Sequence, residues 1–471
     1  MIKLLTIVCA VALSQSVKAE SLLVKLAAPS STQKTIQIMN LNGLKAAAVS
    51  DQWIEVSGNI KLSQFKSFLE SGSVLKVQPN FKVHTSENPN FKNLRNNKSM
   101  LAKIAAYSRS QAATNDNPEI PVAPSLTTGA DPLFSKQWGM NDIGVVNAWK
   151  MSPANSSIIV AVIDTGVDYT HEDLVQNMWR NPGEIANNGI DDDNNGFIDD
   201  VVGWDFLDND NKPYDLAGSL IEIITAGANP GHGTHCAGNV AATGNNSVGI
   251  SGVAPQAKIM ALRFIGKEGT TAAAIKAIRY AVDNGAKVLS NSWGSEGEDP
   301  ADAGDNQALK DAIQYAQDRD VLFIAAAGNG HQGVGYDNDS DPKPAYPASY
   351  ANENIISVAA LDNADAIGKF SNWGKTTVDI GAPGVKVFST TVGSTYNDGI
   401  GFMGFNIANW DGTSMAAPHV AGAAALYWSA HPTKNWLDVK QAIMYSAKPI
   451  ASMQGKVVSN GKLNVEELMK R

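Results

Sequence analysis

After residue 157 the chain gathers apolar residues into short, nearly continuous runs, at 158–163, 258–262, 287–292, 321–326 and 355–359. Runs with little polar alternation fit strands buried on both faces. Between and after them, apolar positions recur at helical spacing over 232–242, 271–284, 306–318, 415–429 and 436–446. Strands alternating with helices predict an α/β domain, a parallel sheet flanked by helices. In such sheets reactive groups collect at the carboxyl ends of the strands.

The front of the chain has a different pattern. Residues 21–27 and 52–57 alternate apolar and polar, as half-buried strands do, and 32–40 reads as a helix. Leu62, Phe65, Phe68 and Leu69 fall on one face of a further helix, ended by Gly72. Residues 73–84 read as a last strand, interrupted at Pro79-Asn80. Residues 20–85 therefore predict a small α+β unit. Residues 86–130 are rich in Asn, Ser, Lys, Ala and Pro with weak periodicity, and read as an exposed linker with room for a helix over 98–113. Linkers of this kind are where chains are cut. The composition of a packed domain begins at Asp131, so 131–471 is the main unit.

The first 19 residues read as a secretory leader: Lys3, an apolar stretch from Leu4 to Leu13, and Val17-Lys18-Ala19 as a cleavage site before Glu20. That stretch is too short to span a membrane, and bulky Val8 ahead of Cys9 argues against a lipid-modified cysteine. Export is expected, to the periplasm, the cell surface or the medium. Without the leader a single cysteine remains, Cys236, so stability outside the cell must come from packing or from bound metal.

With 471 residues, 44% of them apolar, the chain can bury a sizeable core and hold two domains. Charge is unevenly divided. Residues 1–130 carry 14 Lys and Arg against 7 Asp and Glu, a balance of +7, and the remainder is −16. An acidic main domain argues against a nucleic-acid partner, and the opposite signs suggest that the two parts attract each other.

Four short stretches carry candidate chemistry. In Asp411-Gly412-Thr413-Ser414-Met415-Ala416-Ala417-Pro418-His419, Pro418 lacks an N–H and is expected in a first helical turn. That puts Ser414 at or just before a helix N-terminus, where free N–H groups could receive an oxyanion. Asp164-Thr165-Gly166 ends the first buried run, and His232-Gly233-Thr234-His235-Cys236-Ala237-Gly238 opens a helix. Ala325-Ala326-Ala327-Gly328-Asn329 ends another run, with Asn329 offering an amide donor. Each stretch has a bland alternative: a helix-capping serine, a turn aspartate, a structural histidine, a turn asparagine. D-T-G is also the aspartic-protease signature, but a single copy in an α/β pattern does not supply that family's facing pair. The two histidines lack an acidic or cysteine partner at zinc spacing.

Taken together, D-T-G, H-G-T-H-C-A-G, S-W-G, A-A-A-G-N and G-T-S-M-A-A-P-H-V-A-G stand in the order of the subtilisin family of serine proteases, which the chain resembles from about Gln137 to its C-terminus. The resemblance implies a serine endopeptidase of broad specificity acting on proteins and peptides. Ser414 would be the nucleophile, His232 the base, Asp164 its orienting carboxylate, and Asn329 with the Ser414 N–H the oxyanion hole. Ser292, Trp293 and Gly294 would pair with extended substrate, and Gly294 with Ala326, Ala327 and Gly328 would wall an S1 pocket suited to apolar or aromatic residues. Residues 20–85 resemble the family's inhibitory propeptide, most clearly at 77–83, which implies a small ferredoxin-like α+β domain ahead of the catalytic one. That implies an autoprocessed precursor whose own N-terminal unit is an intramolecular partner, cut roughly between Lys98 and Asp131. Cys236 is expected to be a buried thiol without a catalytic role, and Met415 an oxidation-sensitive neighbour of the nucleophile. A monomer is expected.

A further stretch, Asp191-Asp192-Asp193-Asn194-Asn195-Gly196-Phe197-Ile198-Asp199-Asp200, follows the first half of a calcium loop. The closing Glu is missing, so Asp199 or Asp200 must complete a Ca2+ site with Asp191, Asp193 and Asn195. The bland alternative is a solvated acidic turn. Two rivals share the fold: a silent homologue, against which all four chemical positions are occupied, and a sedolisin, against which H-G-T-H stands because that family uses Glu as base. A convertase with a following β-domain would need a longer chain after the serine block.

Overall fold

The computed structural model describes residues 21–41, 43–58, 72–85, 99, 118–121, 129–151, 158–226, 228–295, 306–331, 333–402 and 405–471. The leader, the helix expected around Phe65 and, but for residue 99, the stretch 98–113 fall outside them.

The N-terminal unit contains β1 (Ser21–Leu26), α1 (Thr32–Leu41), β2 (Lys45–Ala48), β3 (Trp53–Ser57) and β4 (Val74–Pro79), in an antiparallel sheet of order β2-β3-β1-β4. Leu22, Val24 and Leu26 turn into its own core with Met39, Ile54 and Val56. Leu23, between them, belongs with Trp53 to a core shared with the main unit. The period-2 alternation of β1 thus serves two cores. The run over 73–84, expected as a strand interrupted at Pro79-Asn80, divides at that point into two strands. After β4 the chain bends at Asn80, and β5 (Lys82–Thr85) leaves the sheet for the main unit.

The main unit continues in order. It comprises α2 (Trp138–Asp142), α3 (Val145–Met151), β6 (Ile159–Asp164), β7 (Gly203–Asp205), α4 (Leu220–Ala226), α5 (His232–Ala241), β8 (Lys258–Arg263), β9 (Gly269–Thr270) and α6 (Thr271–Asp283). Then come β10 (Val288–Asn291), β11 (Trp293–Gly294), α7 (Gln307–Gln317), β12 (Leu322–Ala326), β13 (Ile355–Leu361) and β14 (Ile380–Pro383). Hairpins β15 (Ser389–Thr391)/β16 (Thr395–Asn397) and β17 (Gly399–Phe402)/β18 (Phe405–Asn409) precede α8 (Thr413–Ala430), α9 (Trp436–Ser446), β19 (Lys448–Pro449), β20 (Gly461–Lys462) and α10 (Val465–Leu468).

Among the described residues the main sheet has the order β19-β20-β14-β13-β12-β10-β6-β8-β7, parallel throughout except at its β19–β20 edge. Along β6, Val160 and Val162 face one core, with residues of α5 and α8, while Ala161 and Ile163 face the other, with residues of α6 and α7. Burial on both faces explains the nearly continuous apolar runs. From β6 the sheet grows one way through β8 and β7, and the other way through β10, β12, β13 and β14. The connections diverge between β6 and β10, which opens a crevice at their carboxyl ends. Asp164 ends β6 there, and Ser292 follows β10.

Candidate active site

Asp164 is fully buried at the end of β6, and its Oδ1 accepts the Thr165 N–H at 2.7 Å. His232 is the first residue of α5, and its Nδ1 lies 2.7 Å from the same oxygen. The glycines of both motifs allow this approach. A Cβ on Gly233 would lie 2.1 Å from the Gly166 carbonyl oxygen, and Gly166, at φ +104°, would meet the Tyr214 carbonyl at 2.6 Å. With Nδ1–H held by a carboxylate, Nε2 is left free to take a proton. Nε2 is buried and has no hydrogen-bond partner. Burial works against the imidazolium, but the Asp164 carboxylate more than offsets it, so His232 titrates well above its ordinary range. The buried His235 and His419 are pushed the other way, to about 3 and about 4, and stay neutral. Burial likewise raises the Cys236 thiol.

Ser414 is the second residue of α8. Its Oγ donates to the Ser292 carbonyl at 3.0 Å, so the hydroxyl and the His232 imidazole are not yet hydrogen-bonded to each other. Pro418 corrects the expectation from sequence: it lies inside α8, beyond the first turn. The missing N–H of residue 418 frees the Ser414 carbonyl four residues back, and that carbonyl accepts from Ser292 Oγ at 2.8 Å and Cys236 Sγ at 3.4 Å. Ser292 and Ser414 are therefore bonded to each other twice. The proline is tolerated because another strand end supplies the donor.

Asn329 lies beyond β12, and its Oδ1 accepts both the N–H and the Oγ1–H of Thr413 at 2.9 Å. That fixes which end of the amide faces the serine. A methyl on Gly412 would lie 3.3 Å from Asn329 Nδ2 and 3.5 Å from the Ser414 nitrogen, so two donors flank one small space beside Gly412. A space between fixed donors suits a developing oxyanion.

The crevice is occupied by the chain's own β5, which lies between β11 and β9 in a three-stranded antiparallel sheet. Thr85 pairs with Trp293 and His84 with Gly294, while Val83 pairs with Gly269 and Lys82 with Thr270. Because β5 runs antiparallel to β11, its Thr85 end is the end nearest Ser292 and Ser414. Ala326 and Ala327 are buried in two different clusters, Ala327 with Ala359, Leu361 and Val378, and the Gly328 N–H donates to Thr413 Oγ1.

The acidic stretch folds as a loop before β7. Carboxylate oxygens of Glu184, Asp193 and Asp200 lie within 4.8 Å of one another. Asn195 joins them through its Nδ2, which donates to Asp193 Oδ2 and Asp200 Oδ2. Asp191 instead accepts the N–H groups of Asn195 and Gly196, and Asp199 those of Asn188 and Gly189. Burial, reinforced by Asp193, pushes the Asp200 carboxyl up to about 6. Converging carboxylates form a hard-oxygen donor set of the kind calcium takes. Glu184 escaped the sequence reading because it stands seven residues ahead of Asp191, outside the loop spacing. Asp215 and Asn229 were also missed, since neither lies in a motif; both touch the start of α5.

A family model described as the subtilase family matches residues 155–465. The chain is similar to the thermophilic serine proteinase of Bacillus sp. (strain AK1), 32% identical over 448 residues that cover 92% of this chain and 90% of the relative. It is 35% identical to thermitase of Thermoactinomyces vulgaris over 340 residues, 72% of this chain and 97% of the relative. Subtilisin-like protease 1 of Plasmodium berghei matches at 27% over 72% of this chain and 54% of its own length.

Proposed function

The chain belongs to the subtilase family of serine endopeptidases, and we propose that it is a secreted, self-processing member with Ser414, His232 and Asp164 as its triad. The observation that carries this reading is the 2.7 Å contact of His232 with the buried Asp164, beside a serine flanked by two fixed donors. As substrate enters, the Ser414 hydroxyl turns from the Ser292 carbonyl to His232 Nε2. His232 takes its proton as Oγ bonds to the scissile carbonyl carbon. The oxyanion accepts from Asn329 Nδ2 and the Ser414 N–H. The C–N bond then breaks, the leaving amine takes the proton from His232, and water hydrolyses the acyl ester by the same route. Peptide substrate adds a strand between β9 and β11, and Gly294 with Ala326, Ala327 and Gly328 shapes the P1 pocket for apolar or aromatic side chains.

Residues 1–19 act as the export leader and 20–85 as the inhibitory propeptide. The β5 register supports the second reading, as does an alignment with the AK1 proteinase that covers far more of this chain than residues 131–471. The register of β5, with Thr85 opposite Trp293 beside Ser292, supports a first cut soon after Thr85, with further trimming in the linker within the 98–131 range. Residues 118–121 stay with the enzyme: the Pro118 and Pro121 carbonyls accept from Tyr169 Oη and Arg180 Nη2, each at 2.7 Å. Any trimming of the linker ends before them. Glu184, Asp193 and Asp200 would hold a Ca2+ ion, whose charge would offset the mutual repulsion of the carboxylates and brace the loop, while Asn195, which turns its Nδ2 toward Asp193 and Asp200, would steady the carboxylates without ligating the ion. The mature enzyme acts as a monomer on protein and peptide substrates. No helix among the described residues is long and apolar enough to cross a membrane.

The test is intact mass and fluorophosphonate labelling of purified protein, with calcium and with chelator. Wild type should lose the segment ending just beyond Thr85 and label at Ser414, while Ser414→Ala does neither. Full-length wild type that never labels, even after light exogenous proteolysis, would refute the reading.

A further inference from the structure

We propose that Asp215 is a positioning residue that locks the start of α5 onto the end of β6 and so sets His232 against Asp164. Asp215 is wholly buried and touches none of the reacting atoms assigned above. Its Oδ1 accepts from Thr165 Oγ1 at 2.9 Å and from Asn229 Nδ2 at 2.5 Å. Its Oδ2 accepts the Thr234 N–H at 2.8 Å and the Thr234 hydroxyl at 2.6 Å. Each partner is one step from the dyad. Thr165 follows Asp164, and its Oγ1 accepts the Gly233 N–H at 2.9 Å. Asn229 Oδ1 accepts the N–H groups of His232 and Gly231 at 3.0 and 2.9 Å. The first three N–H groups of α5 are therefore met by Asn229, Thr165 and Asp215, and the last of these is bonded to the other two.

A carboxylate at a helix N-terminus ordinarily serves as a stabilising cap. A cap has no need of the bond to Thr165, which belongs to the strand end that carries Asp164. That bond makes Asp215 a tie between two elements as well as a cap on one. The three neighbours present four donor groups, and only an ionised carboxylate offers acceptors to all of them. Asparagine has nearly the same size but would turn an N–H toward a donor. The helix start would then shift or turn, and displacements of about 1 Å in such an arrangement cost about 10²-fold.

The inference rests on the triad reading, and the experiment separates the two. If wild type is inactive, that reading fails; if wild type is active, Asp215→Asn decides this one. The folded, processed variant should lose 10- to 100-fold in kcat with KM within twofold. The low-field NMR resonance of the His232 Nδ1 proton should also broaden or move. A kcat within twofold of wild type, a loss confined to KM, or an unmoved resonance would overturn it. If Asp215→Asn does not accumulate folded, Thr165 decides: Thr165→Ser should keep the activity that Thr165→Val loses. Equal activity of the two variants, high or low, would overturn it.

Discussion

The main unit and the N-terminal unit bury their strands in different ways. β6 is covered on both faces by helices of its own unit, through α5 and α8 on one side and α6 and α7 on the other. β1 is also covered on both faces, but one of its cores is completed by the other unit. The main unit can therefore hold buried, mutually bonded polar groups at fixed distances, as at Asp164, Thr165, Asp215 and Thr234. The N-terminal unit attaches through that shared core, through the pairing of β5, and through a few directional contacts to α6 and α7. Asn80 Oδ1 accepts from the Ala272 N–H at the start of α6, and Gln78 Oε1 from the Ala308 N–H at the start of α7. Lys25 and Trp53 both donate to Asp311. The residues proposed to organise catalysis are bonded to one another within one unit, whereas the contacts proposed to serve inhibition cross between two. Substitutions in the first set should cost orders of magnitude in turnover, and those in the second should change only the grip of the N-terminal unit.

The largest effect is expected at Asp164. Asp164→Asn should keep the fold but lower kcat by about 10⁴, because the amide favours the wrong imidazole tautomer. The pH dependence should move with it. In the proposed mechanism neutral His232 is the base and its pKa lies well above 6.5, so kcat/KM should fall as pH drops through that raised value. In Asp164→Asn the charged form loses its partner, and the acid limb should shift to lower pH. A limb that stays in place would detach His232 from Asp164. Next comes Asn329→Leu, which keeps the volume and removes the donor beside Gly412. A loss of about 10²–10³ in kcat with little change in KM is the size established for this donor in subtilisin-type enzymes. An unchanged kcat would move the oxyanion elsewhere.

Across the interface the numbers should shrink. Asp311 accepts from Lys25 Nζ at 2.6 Å and Trp53 Nε1 at 2.9 Å in a partly buried setting. Hydrogen bonds involving a charged group contribute about 1.5–3 kcal/mol. Asp311→Ala should therefore weaken inhibition of the mature enzyme by the separately added N-terminal unit about 10- to 100-fold, read as Ki, with kcat unchanged. A change in kcat instead would mean that the two units are not mechanically separate.

Much of the main unit was legible in the sequence because a two-sided sheet prints continuous runs and its strand ends carry short motifs. The expected limits of α5, 232–242, differ from the observed His232–Ala241 by one residue. Pro418 misled because a rule about one helix does not know that Ser292, more than a hundred residues earlier, will satisfy the freed carbonyl. Asp215 and Glu184 were invisible for a related reason: each acts by meeting groups that only the tertiary fold brings near. The N-terminal unit was half legible. Its alternation marked β1 and β3, and Pro79-Asn80 marked the break between β4 and β5, but nothing local told that β5 would pair with the main unit instead of the N-terminal sheet.

The smallest effect, and the sharpest test of the comparison, is at Glu268. Lys82 Nζ sits 2.5 Å from Glu268 Oε2, as short a contact as any at Asp311, yet the two side chains remain 45% and 42% exposed. Lys82 also belongs to β5, whose pairing with Thr270 does not depend on either side chain. Water and salt screen an exposed pair, and such pairs contribute about 0–1 kcal/mol. Glu268→Gln should thus raise the Ki of the N-terminal unit by no more than about fivefold at about 0.15 M salt, with any excess fading as salt rises. The side-by-side measurement with Asp311→Ala matters because distance alone would rank the two contacts together. If Glu268→Gln equalled Asp311→Ala at high salt, the grip would follow short contacts wherever they lie. If it stays small, burial and the strand backbone govern inhibition, as they govern the triad.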